Sequence, residues 1–188
     1  MKKSINYLVI AIVTIAVFFT SHAKAQTTDK GTWRLGFGLE SGVETENNVE
    51  KISNLELGGT VRLQYGLSKK IALTLTSGYY NFLGNTIPGE DIKFQSLGII
   101  PVKIGAKVFF IHHLYFGAEV GEGFETKAYG IAQNQDEVDY GKKTKFIYSP
   151  SIGWANNSWD IGLRYESFTG DDYGYGLVAL RLAYGFKL

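Results

Sequence analysis

Two adjacent histidines, His112 and His113, are the side chains beyond the first 25 residues best suited to moving a proton or holding a metal ion. Neighbouring residues on a strand or tight turn point in different directions, so the pair makes a poor chelate. Acid–base chemistry needs the base beside a nucleophile or an activated water, and both histidines fall in a short turn away from the long loops. Asp136, Glu137 and Asp139 gather carboxylates, as do Asp171 and Asp172. Neither group has the glycine and terminal acid of an EF-hand loop, and both read as solvated loop charge. Gly36-x-Gly38 and Gly121-x-Gly123 do not continue into a phosphate-binding G-x-G-x-x-G and lie inside alternating segments. The expectation is a chain with no catalytic, cofactor-binding or metal site, hence non-enzymatic and without a cofactor.

The charges with a meaningful spacing are of another kind. Arg34 and Glu40, Glu56 and Arg62, Lys103 and Lys107, Glu119 and Glu125, Asp160, Arg164 and Glu166, with Arg181, stand at even separations within their segments. In a β-strand an even separation places residues on one face, here a face otherwise rich in glycine. The interleaved positions are large and apolar: Leu55, Leu57, Val61, Leu63, Tyr65 and Leu67 alternate with Glu56, Gly58, Thr60, Arg62, Gln64 and Gly66. One face is for lipid and the other for a narrow polar interior. Charges enclosed there must pair, because each left alone costs several kcal/mol. The twelve charges are therefore expected to form a structural salt-bridge network filling the lumen rather than an ion path.

The elements that place these rows are eight strands, at about 32–42, 54–68, 70–83, 97–110, 114–125, 144–155, 159–168 and 174–188. Lys69-Lys70, Ile111-His112-His113 and Asn156-Asn157-Ser158 are hairpin-sized connections. The stretches near 43–53, 84–96, 126–143 and 169–173 are mostly longer and polar. Short turns at one end and long loops at the other, around an even number of strands, describe a closed antiparallel up-and-down transmembrane β-barrel. Each strand exceeds the roughly 9–11 residues that cross a bilayer when tilted. Outward aromatics band toward the turn end (Trp33, Tyr65, Phe110, Phe116, Trp154, Trp159, Tyr184, Phe186) and the loop end (Tyr79, Phe124, Tyr148, Tyr165). The apolar parity slips in Leu97-Gly98-Ile99-Ile100-Pro101-Val102, so a bulge is expected near Pro101. Ile87, Ile92, Phe94, Tyr129, Ile131 and Tyr140 place apolar groups among charges in the second and third loops, where specific recognition is expected.

The N-terminus fits a secretory signal: Lys2 and Lys3, an apolar run over Ile5–Phe19, then Ala23-Lys24-Ala25. Cleavage leaves residues 26–188 as one barrel domain and removes three lysines and no acid, so 16 basic residues face 18 acidic ones. That balance excludes a nucleic-acid partner. There is no cysteine, hence no disulfide and no lipidated-cysteine anchor.

The stretches Ile100–Phe110 and Leu114–Phe124 resemble the central hairpin of the small eight-stranded outer-membrane β-barrel family, similar in plan to OmpX and the OmpA transmembrane domain. The outward row Leu180, Leu182, Tyr184, Phe186 and Leu188 is similar to the C-terminal strand read by the barrel-assembly machinery, with Leu188 where members more often have Phe. The resemblance spans the mature chain and carries no catalytic set. It implies an integral outer-membrane protein with periplasmic termini, outer-membrane lipids around it and the assembly machinery as a partner in biogenesis. Its role would be structural, envelope-stabilising or adhesive, through loops that meet an extracellular or envelope protein. The rival expectation is a secreted, soluble, lipocalin-like barrel with the apolar rows turned inward around a small ligand.

Overall fold

The computed structural model describes residues 29–45, 53–84, 93–94, 96–126, 131–133, 136–137, 143–170 and 174–188; the signal expected over 1–25 lies outside them. In chain order its strands are β1 (Trp33–Glu44), β2 (Ser53–Gly66), β3 (Ile71–Gly84), β4 (Lys93–Phe94), β5 (Leu97–Ile111), β6 (Leu114–Glu125), β7 (Ile131–Gln133), β8 (Asp136–Glu137), β9 (Thr144–Ala155), β10 (Trp159–Thr169) and β11 (Tyr175–Lys187). Eight of them close a barrel in the order β1-β11-β10-β9-β6-β5-β3-β2, with every neighbouring pair antiparallel. The seam joins the first and last strands, with Glu40 opposite Arg181 and Ser41 opposite Leu180. Closure leaves the barrel without an exposed edge. β4, β7 and β8 form a separate small sheet from the second and third loops.

Local chemistry fixes the turns. Ser68 Oγ accepts from the backbone N–H of Lys70 (3.2 Å) and Ile71 (3.1 Å) between β2 and β3. Asn156 Oδ1 accepts from the N–H of Ser158 (2.8 Å) and Trp159 (2.7 Å) between β9 and β10, the local side-chain turn that asparagine makes readily. His112 and His113 alone separate β5 from β6, and His113 Nδ1 lies 3.0 Å from the carbonyl oxygen of Ala155.

The two sets of alternating residues face the directions a lipid-embedded barrel requires. Leu39 (73% exposed), Leu57, Val61, Leu75, Ile104, Val120, Ile152, Leu163 and Leu182 lie on the outer surface. The charged rows are buried inside. A lipocalin-like barrel needs the reverse, so that rival expectation fails on orientation. The outward rings meet in cross-strand pairs at the turn end: Trp33 with Tyr65 (centroids 4.7 Å), Phe110 with Phe116 (4.5 Å) and Trp159 with Tyr184 (5.2 Å).

The bulge expected at Pro101 is absent. Ser77 faces Val102 and Tyr80 faces Ile99 with no register shift between them, and β5 pairs with β6 straight through Pro101 opposite Gly123. Pro101 is fully buried and its ring simply takes an inward position. In the sequence the parity slips because the inward set itself turns apolar here: Leu97 and Ile99 line the lumen, while Ile100 and Val102 face out. Register shifts occur elsewhere, between Ser53 and Leu55 and between Phe109 and Ile111.

Candidate functional site

The lumen and the two mouths of the barrel are the places where this fold can act. At mid-height eight charged side chains form a closed ring of alternating sign. Arg62 Nη2 donates to Glu119 at 2.9 Å, and Glu119 lies 3.9 Å from Lys103 Nζ. Lys103 meets Glu166 at 3.0 Å; Glu166 pairs with Arg164, and Arg164 with Glu40. Glu40 accepts from Arg181 Nε at 3.1 Å, Arg181 Nη1 lies 3.4 Å from Asp160, and Asp160 returns to Arg62 at 3.5 Å. Lys107 adds a third cation to Asp160. The ring residues come from β1, β2, β5, β6, β10 and β11. Thr74 and Thr76 of β3 donate to Glu119 (3.0 and 2.7 Å), and Ser149 of β9 donates to Glu166 (3.3 Å). Every strand of the barrel is thus tied through its interior.

Each ion in the ring has neighbours of opposite sign on both sides, which is what makes its burial tolerable. An unpaired charge in such a place costs several kcal/mol, while breaking an existing buried pair typically costs 3–5 kcal/mol. The ring therefore ties the strands together and holds the barrel in one register.

Aromatic layers close the lumen on both sides of the ring. Toward the loops, Phe82, Phe168 and Tyr175 pack with centroids 4.8–5.8 Å apart, in one cluster with Leu97, Ile99, Ile147 and Leu177. Toward the turns, Tyr115 packs against Phe109 (5.6 Å) under Lys107, whose Nζ sits 4.2 Å from the Tyr115 ring, and Tyr115 donates its hydroxyl to Asp160 at 2.8 Å. Gly153 and Gly162, opposite one another on β9 and β10, seat that ring: a Cβ at either would come within 2.5–2.7 Å of the Tyr115 hydroxyl.

Of the twelve charges expected to form the network, Glu40, Arg62, Lys103, Lys107, Glu119, Asp160, Arg164, Glu166 and Arg181 are in these ion pairs. Glu125 is buried at the loop end and accepts from the backbone N–H of Lys143 at 3.1 Å. Two behave otherwise. Arg34 is half-buried at the turn mouth and donates to the backbone carbonyls of Asn156 and Asn157, whose turn closes around it. Glu56 is buried, yet neither carboxylate oxygen makes a hydrogen bond. Lys103 and Arg164, which lie 5.4 and 5.2 Å from the Tyr80 ring, pair with Glu166, and Glu56 lies beside Gly42 and Gly58. Sequence reasoning passed over Tyr80, Phe82, Tyr115, Lys145 and Phe168, all inward and buried. Each shares parity with a charged or small inward residue, as Lys145 does with Ser149, and that parity was the available signal. Among the described residues no three histidine, cysteine or acidic side chains are placed to hold a metal ion.

The mouths differ. Turns of a few residues close one, and the longer connections rise from the other. There the second and third loops join, with Lys93 opposite Ala132 and Phe94 opposite Ile131, and Ala132 opposite Glu137. Two of the expected recognition residues, Phe94 and Ile131, are therefore register partners. Ile87, Ile92, Tyr129 and Tyr140 lie outside the described residues. On the last strand Leu180, Leu182, Tyr184, Phe186 and Leu188 form one exposed outward row.

No protein-family model and no curated protein sequence matches the chain. Solved structures do match its fold. The crystal structure of Ail, the attachment invasion locus protein of Yersinia pestis, is 14% identical over 84% of this chain and 99% of that one, with a TM-score of 0.62. Ail in a phospholipid bilayer nanodisc gives 0.55 at 14% identity, over 84% and 100%. The N-terminal β-barrel domain of Pseudomonas aeruginosa OprF gives 0.54 at 10% identity, over 81% and 97%. The fold of this chain is that of the small eight-stranded outer-membrane β-barrels.

Proposed function

We propose that the chain is an integral outer-membrane barrel, with both termini in the periplasm, whose task is adhesion or binding through the loops at its open mouth. The observation that carries this reading is the division of labour in the structure. The lumen is occupied by ion pairs and aromatic layers, the outer wall is apolar, and the longer connections lie at one end, where two loops share a sheet. Rigid scaffolds commonly carry recognition on such loops. The likeness to Ail, an attachment invasion locus protein, supports the same direction.

The proposal assigns the chain no reaction. His113 is engaged with the Ala155 carbonyl in a tight turn, and the ring acids are held by cations, an arrangement suited to rigidity rather than proton transfer. A second structure of Ail is a complex with sucrose octasulfate, a heparin analogue. The loops here carry Glu46, Glu50, Glu90, Asp91, Asp136, Glu137, Asp139, Asp171 and Asp172 against Lys51, Lys93, Lys127, Lys142 and Lys143. That excess of acid favours a basic or neutral protein surface over a polyanion.

The test replaces 85–96 and 127–142 with short turns and compares surface adhesion and cell–cell aggregation. Loss of adhesion while the trimmed barrel still reaches the membrane supports the reading. Unchanged adhesion and aggregation at equal membrane levels contradict it.

A further inference from the structure

The turn-side mouth contains a second feature that neither adhesion nor sealing uses. Below the ionic ring lies a cavity of about 40 Å³ lined by Arg34, Arg62, Gln64, Asp160, Arg181 and Trp159, together with the small residues Gly36 and Gly185. That is room for a few water molecules or one small ion. Three guanidinium groups line it against one carboxylate, and that carboxylate is already saturated. Asp160 Oδ2 serves Lys107, Arg62 and Arg181, and Oδ1 accepts from Tyr115.

Arg181 adds the second observation. It is 3% exposed, and its Nε is engaged with Glu40 and Thr60 on the ring side. Its Nη1 and Nη2 make no hydrogen bond, although Nη1 reaches within 3.4 Å of Asp160, which itself lines the cavity. Buried guanidinium donors without acceptors are costly, and a cavity with surplus positive charge beside them offers the natural place for an acceptor. Arg34, held by the Asn156 and Asn157 carbonyls, brings its own charge to the rim of the same space.

We propose that this vestibule is a binding site for one small monovalent anion of halide size, held between Arg181, Arg62 and Arg34. The site faces the turn end, and the ionic ring separates it from the apolar layer near the loops. The anion completes the interior electrostatics where cations outnumber acids. It stabilises the folded barrel as any ligand of the native state does.

Crystals of the refolded barrel grown in sodium bromide test the site directly, by anomalous scattering. The expected result is one bromide peak among Arg34, Arg62 and Arg181. In solution the thermal unfolding midpoint is compared in chloride and in gluconate at equal ionic strength. The wild-type midpoint should rise with chloride along a saturating single-site curve. Gly36 lines the cavity, and a Cβ built there lies no closer than 3.5 Å to any atom beyond its chain neighbours, so Gly36→Val carries side-chain carbons into the space from a position where the Cβ meets no clash. This variant should retain the wild-type midpoint in gluconate and lose the chloride increment. A wild-type protein with no bromide peak and identical midpoints in the two salts holds only water there, and the proposal falls.

Discussion

Lys103 and Glu166 offer the sharpest test of the ionic ring, because both side chains are fully buried. Lys103 Nζ lies 3.0 Å from both carboxylate oxygens of Glu166, 3.0 Å from the Tyr80 hydroxyl and 3.9 Å from Glu119. At an effective dielectric of about 20 a pair at that distance attracts by roughly 5–6 kcal/mol, a gain largely offset by the desolvation of both ions. Lys103→Met keeps the apolar stem and removes the charge. The offset then disappears from one side only, and the expected cost is about 3–5 kcal/mol. That is a fall in the folded-to-unfolded ratio between about a hundred- and a few-thousand-fold. Glu166→Met should cost at least as much, because Arg164 also loses one of its two acidic partners. The double variant removes both members of the pair and should cost clearly less than the two singles together. Urea unfolding of the barrel folded into phosphocholine vesicles measures all four corners of this cycle. Single variants within about 0.5 kcal/mol of wild type, or a double variant equal to the sum of the singles, would refute the reasoning.

Other outcomes follow from the same geometry. Tyr115→Phe removes the hydroxyl that donates to Asp160 and should cost about 1.5 kcal/mol by urea unfolding, with Asp160 still held by its cations. Leu39→Arg places a charge on the most exposed of the outward apolar residues and should destabilise the vesicle-embedded barrel by roughly 2–4 kcal/mol; an unchanged unfolding curve would argue that this face does not meet lipid. Asn156→Ala strips two backbone donors of their acceptor in the β9–β10 turn and should cost about 1 kcal/mol, seen as a lower urea midpoint at unchanged slope.

The sequence made the barrel legible because its period is two and its outer rows are uniformly apolar. That regularity located the eight strands within a few residues and separated Glu40, Arg62 and Arg181 from Leu39, Val61 and Leu180. It was less informative inside. A charged inward row suggests ion pairs, but which acid meets which base is a property of closure: Arg62 on β2 reaches Glu119 on β6 across the lumen, and no local spacing encodes that. The same limit hid the fate of Glu56, because Lys103 and Arg164 pair with Glu166 instead. Near the loops the inward set becomes aromatic, so Phe82, Phe168 and Tyr175 have no polar partner rows to contrast with them. Leu97 and Ile99 then imitate a parity slip, and Pro101 invites a bulge that the strand does not need. Arg34 shares the inward parity but stands one turn too close to the mouth, where backbone carbonyls reach it before any carboxylate does.

Envelope fractionation with boiled and unboiled gels of the membrane pellet tests the central claim most directly. A barrel with lipid outside and a locked ionic ring within should sediment with the outer membrane and resist extraction. Unboiled, it should migrate as a compact band whose mobility changes on heating. A protein recovered in the soluble periplasmic or secreted fraction, with the same mobility boiled and unboiled, would contradict the account.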